Sequence, residues 1–266
     1  MTAITVSPRI APDPANLLLG RGAIYFDRFV TNTSQRQGER HLGNCTAFST
    51  STKAETKEKY ESMDSASNLY QRAVTRQTTT LKITGDEFTP DNLAAAVNGD
   101  VETISGAGAT ITAEAITPVG GAILGRYYAL ANRNITTLTD VKQASTTLVL
   151  GTDYTADLLR GRIYLLPTSV TITPGSQLTA DYVYGAYSYP AVKISTVGTV
   201  DGYVHYIPDN IKGPNWEVEV WHVQFTPSGD QGWIADDFGN WNLEGMVIVD
   251  TINHPNEPIG RLIQTT

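Results

Sequence analysis

A chain of 266 residues that is 41% hydrophobic and 17% charged has the apolar content to bury a real core, in one large β domain or two smaller ones. Its formal net charge of −8 and pI near 5.0 argue against tight, nonspecific binding to DNA, which requires basic contacts to phosphate. No apolar run approaches the roughly 18 residues of a membrane span, and the single cysteine, Cys45, excludes an internal disulfide framework and fits a reducing compartment. The opening segment lacks a basic stretch followed by an apolar one, so no secretory signal is expected. Residues 1–19 read instead as an extended, Pro-containing arm that a partner orders.

The ordered body opens at GRGAIYFDRF (residues 20–29), a Gly-rich turn and a strand with Ile24 and Phe26 on one face. A polar loop at 38–43 returns the chain to Cys45, which reads as a small half-buried apolar residue without an electropositive neighbour to make it reactive. Residues 46–61 have helical propensity from Lys53 to Tyr60, but their β-branched start favours a long strand. A similar strand follows at 70–84, where alternation sets Arg72, Arg76, Thr78, Thr80 and Lys82 against a more apolar face. Between them lies a small polar tip, Ser62, Met63, Asp64, Ser65, Ala66, Ser67, Asn68 and Leu69. Such a wet-faced hairpin is marginal alone, so something outside the protomer is expected to cover it.

TPDNLAAAVNG (residues 89–99) is the one strong helix. Thr89 can cap it, Pro90 suits the first position, Asp91 complements the dipole, and Gly99 supplies a stop. Residues 101–117 alternate again (Ile104, Ile111, Ile116) around a GAG turn, and 118–121 mark a boundary. From 127 to 187, aromatic and β-branched residues predict short strands at 127–130, 148–150, 162–166 and 178–184. This stretch reads as an inserted β domain. The body resumes at 191–195 and 199–207, then WEVEVWHVQF (216–225) and a last strand region at 241–250. Trp216, Trp221, Trp233 and Trp241 read as packing residues of this final third.

Catalytic signatures are missing from the sequence. His41, His205, His222 and His254 have no HxxxH spacing, Asp236–Asp237 lacks the calcium-loop order, and Asp153 with Asp157 is a weak acid–base pair. There is no GxSxG elbow, P-loop or helix-opening GxGxxG. The sequons at Asn32, Asn44 and Asn134 mean nothing without a secretory route. The chain is therefore expected not to be an enzyme and to hold no catalytic, cofactor-binding or metal-binding residues.

The order of GRGAIYFDRF, HLGNCTAFSTSTKAETKEKYES and LKITGDEFTPDNLAAAVNG resembles the major tail tube protein of long-tailed, siphovirus-like bacteriophages, as do VDGYVHYIPDNIKGP and WIADDFGNWNLEGMVIVD near the end. The resemblance covers about residues 1–118 and 188–266. It implies a mainly β fold, a tail-tube β-sandwich or barrel flanked by one α-helix. Residues 20–122 and 188–266 would form a discontinuous tube domain, with 123–187 a small inserted β domain on the tube exterior. It further implies homohexameric rings stacked into a tube, whose partners are tape measure, tail terminator and baseplate or distal tail proteins. Double-stranded DNA would pass through the lumen without sequence-specific binding. The protein would belong to the virion tail, assembled in the host bacterial cytoplasm. Lys53, Glu55, Lys57, Arg72, Arg76, Thr78, Thr80 and Lys82 would face the lumen, and residues 62–69 would touch the next ring. One departure stands out, because residues 46–84 carry more basic than acidic side chains, whereas such conduits resemble acidic ones. Two alternatives are a tail terminator or head–tail connector ring, and a carbohydrate-binding β-sandwich using tyrosines of the insert.

Overall fold

The computed structural model describes residues 13–30, 33–63, 65–227 and 231–265. Most of the expected N-terminal arm, the Asn32 sequon and Asp64 of the hairpin tip lie outside these residues. The chain is mainly β, with one α-helix and several antiparallel sheets.

A 3-10 turn at Pro14–Asn16, capped by Asp13, leads to β1 (Gly22–Arg28), where Ile24 and Phe26 are buried as the alternation requires. β2 (Arg40–His41) is short; β3 (Cys45–Tyr60) and β4 (Leu69–Gly85) form the long hairpin, so Leu69 belongs to a strand and not to the tip. α1 (Pro90–Ala96) is capped by Thr89, whose Oγ1 accepts from Asn92 N at 3.2 Å. At seven residues it has about two turns, fewer than the sequence suggested. Its stop also differs. Asn98, at φ 47°, takes the left-handed position, with Asn98 N bonded to Ala95 O (3.4 Å) and Gly99 N to Ala94 O (2.7 Å). Gly99 is needed for another reason: a Cβ there would collide with the Lys193 carbonyl oxygen. Asn92, fully buried, donates to Leu42 O and Glu87 O and accepts from Arg40, which ties the helix to the body.

The remaining strands are β5 (Asp100–Gly106), β6 (Ala109–Ala115), β7 (Tyr127–Ala129), β8 (Ile135–Gln143), β9 (Thr146–Thr147), β10 (Tyr154–Asp157), β11 (Arg162–Leu165), β12 (Leu178–Tyr184), β13 (Tyr187–Lys193), β14 (Val200–Pro208), β15 (Trp216–Thr226), β16 (Trp241–Val247) and β17 (Gly260–Gln264). Of the expected insert strands, 148–150 is not one, and β8, β9 and β10 went unforeseen.

The chain divides into two units, the second being Glu102–Ala191. The first holds a sheet of order β2-β1-β14-β15-β16-β4-β3, with β17 joined to β15 beside β16. Its core includes Ile24, Phe26, Leu81, Ile83, Val204, Phe225, Trp241 and Leu243, with Ala95 of α1 packed among them. The sheet coils round this core, since Phe48 on the edge strand stacks on Tyr206 of β14 at 5.3 Å between centroids. Gly85 lets the Trp241 indole lie against the backbone, and Trp241 Nε1 donates to Glu87 O at 2.9 Å.

The second unit has its own core between the sheets β10-β11-β7 and β6-β12-β8-β9. It is larger than the expected insert at 123–187. β6 pairs with β12, and Ile116 and Ala122 belong to this core, so residues 102–122 leave the body to which the sequence reading assigned them. The alternation of that stretch correctly signals a strand, but alternation does not say which sheet a strand joins. β5 and β13 pair with each other where the chain passes between the units. Among the described residues no helix is long and apolar enough to cross a membrane.

Candidate assembly interface

The outer part of the β3–β4 hairpin stands apart from the rest of the first unit. β16 pairs with β4 only from Thr80 to Gly85, whereas β3 and β4 stay paired, through register shifts at Glu55/Thr56 and Lys59/Tyr60, out to Tyr60 opposite Leu69. Beyond Thr52 opposite Thr79 the two strands bond only to each other, leaving a ribbon with two open edges. From Leu69 to Thr79 it extends about 35 Å at ~3.4 Å per residue. Among the described residues none of its side chains is buried, and Tyr60, Tyr70 and Val74 are exposed apolar groups along it. The tip closes through Glu61 N to Asn68 O (2.9 Å) and Asn68 Nδ2 to Glu61 Oε1 (2.7 Å), with Ser67 at φ 51°. Ser62, Met63, Ser65, Ala66, Ser67 and Asn68 are all exposed there.

Opposed residues of an antiparallel pair share a face, so the register sorts the expected lumen residues. Lys53 opposes Thr78, Glu55 opposes Arg76, and Ser51 opposes Thr80; with Lys57 and Lys82 these form one face. A register shift between Glu55 and Thr56 then puts an extra residue into β4. Past it Arg72 opposes Glu58, which is three residues from Glu55 and so on the other face. Arg72 therefore does not share a face with Arg76, Thr78, Thr80 and Lys82, contrary to the period-two reading. The contacts agree. Arg72 pairs with Glu58 (3.6 Å), Tyr60 donates to the same Glu58 (2.8 Å), Arg76 pairs with Glu55 (3.8 Å), and Lys82 pairs with Glu244 of β16 (2.9 Å). Lys53, Lys57 and Lys59 form no ion pair among the described residues.

The other residues weighed for chemistry sit in structural contacts. Asp153 is buried and accepts from Ser169 Oγ (2.6 Å) and Val149 N (2.8 Å), while Asp157 accepts from Arg160, so the two serve separate turns. Burial, with Asp86 and Glu87 adding to it, pushes the half-buried Cys45 thiol up to about 11, which leaves it a poor nucleophile at neutral pH. His254 stacks on Trp221 at 3.8 Å and 2°, and His222 meets Asp201 at 2.8 Å.

Sequence spacing missed one cluster. His205 on β14 lies directly opposite Glu219 on β15, and Glu217, two residues along, shares that face. His205 Nε2 is 2.6 Å from Glu217 Oε1, and Nδ1 is 3.1 Å from Glu39 Oε2. Burial pulls the His205 pKa down, but the bonds to Glu217 and Glu39 outweigh it and leave it raised. Glu219 accepts from Tyr203 Oη (2.9 Å) and from Arg261 Nε. The WEVEV alternation was visible in sequence; the partner strand that brings His205 to it was not.

The model of one family, described as Protein of unknown function UCP028589, matches residues 17–266. No curated protein matches the chain.

Proposed function

The chain belongs to that family, and from the geometry of its hairpin we propose that it is a structural virion protein, the subunit of a phage tail tube. The carrying observation is the ribbon with two open edges and no buried side chain. A lone exposed ribbon is marginal and invites pairing. Ribbons placed side by side in one orientation bring β3 of one copy against β4 of the next, and those edges run antiparallel. A ring of copies then closes into a barrel without free edges. That heterologous contact closes on itself within a ring, and a second heterologous contact, ring to ring with a stagger, would extend the rings into an open filament.

In this reading the rings are homohexameric, the tip at Ser62–Asn68 touches the next ring, and double-stranded DNA passes through the lumen on its way into the host. The tube would meet tape measure, tail terminator and baseplate or distal tail proteins. The second unit, with its own core and no strand in the first sheet, would decorate the tube exterior and be dispensable for polymerisation.

Electron microscopy of the purified protein at rising concentration tests the proposal. Long hollow filaments with a wall of β strands are expected. Single rings that never stack would point instead to a terminator or connector ring, and a protein that stays monomeric at all concentrations would refute assembly altogether.

A further inference from the structure

We infer that His205, Glu217 and Glu219 form a binding site for one divalent transition-metal ion of the zinc class. Each residue offers one ligand atom, and these atoms all lie within 4.8 Å of one another. The backbone sets this arrangement: two ligands at i and i+2 on β15 share a face, and the third comes from the directly opposed position on β14.

The surroundings are those of a metal site with an outer shell. A ligating histidine usually gives its second ring nitrogen to a carboxylate, which fixes the ring and raises its basicity. Here Nδ1 faces Glu39 Oε2 at 3.1 Å, and Nε2, which meets Glu217 Oε1 at 2.6 Å, is the nitrogen that would turn to an ion shared with that carboxylate. Glu219 is likewise oriented by the Tyr203 hydroxyl and the Arg261 guanidinium. The charge balance also suits a dication. Among the described residues Asp27, Glu39 and Glu219 pair with two guanidinium groups, Arg36 and Arg261, while Glu217 faces the His205 ring, so a neutral His205 leaves the group with an excess of carboxylate. One imidazole nitrogen with two carboxylates favours zinc and its neighbours over the all-oxygen sites of calcium or magnesium. Bonds of about 2.0–2.1 Å place tetrahedral ligand atoms about 3.3 Å apart. Glu217, now 2.6 Å from His205, needs to retreat by less than an ångström, and water completes the coordination.

The site depends on the fold of the first unit and not on polymerisation, so its test uses untagged, full-length protein in chelated buffer. Calorimetric titration with zinc chloride is expected to give one ion per chain, with His205→Ala and Glu217→Gln each weakening binding at least tenfold. His41→Ala, at a histidine outside the cluster, is expected to bind as the parent does. Cobalt substitution of the unmutated protein supplies a readout independent of variant folding, namely the visible absorption of a four-coordinate nitrogen–oxygen site. No zinc uptake by the parent, undiminished uptake by a folded His205→Ala, or cobalt spectra identical to those of the hexaaqua ion would each overturn the assignment.

Discussion

Removing the ribbon separates folding from assembly most directly. Thr52 and Thr79 are a cross-strand pair with hydroxyls 3.0 Å apart, so residues 53–78 can be replaced by Asn-Gly, a two-residue turn suited to an antiparallel pair. Among its described residues the deletion removes no buried side chain. It also removes the Arg72–Glu58 and Arg76–Glu55 pairs, which are exposed and worth about 0–1 kcal/mol each. Protomer stability should change by no more than about 2 kcal/mol, the upper bound for losing both pairs. Assembly should respond very differently. An antiparallel edge makes about one hydrogen bond per residue, each net about 0.5–1.5 kcal/mol. Across the outer edge of β3 from Lys53 to Tyr60, that is roughly 4–12 kcal/mol per contact, before the entropic cost of association. Urea melts give the first quantity, and sedimentation with electron microscopy gives the second. A shortened protein that still forms filaments of parental diameter would falsify the claim that the ribbon builds the wall. Loss of cooperative unfolding would show that the ribbon supports the protomer after all.

Three further outcomes follow from particular contacts. Replacing the described tip residues Ser62, Met63, Ser65, Ala66, Ser67 and Asn68 by Gly and Ser should leave the urea midpoint almost unchanged while filaments give way to isolated rings; a drop in midpoint without loss of filaments contradicts this. Thr89→Ala should cost about 1 kcal/mol through the lost cap, read as a lower melting temperature. Asp27 is buried, and although burial raises its pKa, bonds from Arg36, Gln37 N and Gly38 N lower it overall. A carboxyl with a depressed folded pKa contributes stability that is present above its unfolded value of about 3.9 and is lost as pH falls through the folded value. Asp27→Asn should therefore flatten the acid limb of a stability–pH curve below about pH 4, and parallel curves for the two proteins would refute that.

Local chemistry made the capped helix, the long hairpin and the buried face of β1 readable from sequence. Thr89-Pro90-Asp91 combines a cap, a first-position proline and a charge that complements the dipole, and Ile24 and Phe26 alternate as on a half-buried strand. What escaped depends on residues far apart in the chain. Gly99 looked like a left-handed stop, but its lack of a side chain answers to Lys193, almost a hundred residues later. Residues 102–122 announce a strand without announcing that β12 is its neighbour. His205 and Glu219 become one cluster only through the β14–β15 register, which no spacing within either strand encodes.

The register shift in the ribbon bears most on what the hairpin can do. With unbroken alternation, Arg72 would join Lys53, Lys57, Lys59, Arg76 and Lys82 on one face, opposed there by Glu55 and Glu244. The extra residue in β4 moves Arg72 to the other face, where Glu58 neutralises it among Thr52, Ala54, Thr56, Tyr60 and Val74. The ribbon thus has one nearly neutral face and one basic face. The neutral face continues the line of Phe48, Leu81 and Ile83, which pack into the protomer core. In a closed barrel of such ribbons, the face that continues the core looks toward the protein layer, and the basic face looks inward. An inward row of unpaired lysines holds phosphate by releasing its counterions, and that hold weakens steeply as salt rises. In such a barrel the acidity of the whole chain would not describe the wall. If these ribbons line a conduit, its surface grips DNA at low ionic strength and lets it slide only when salt or neighbouring carboxylates screen Lys53, Lys57 and Lys59.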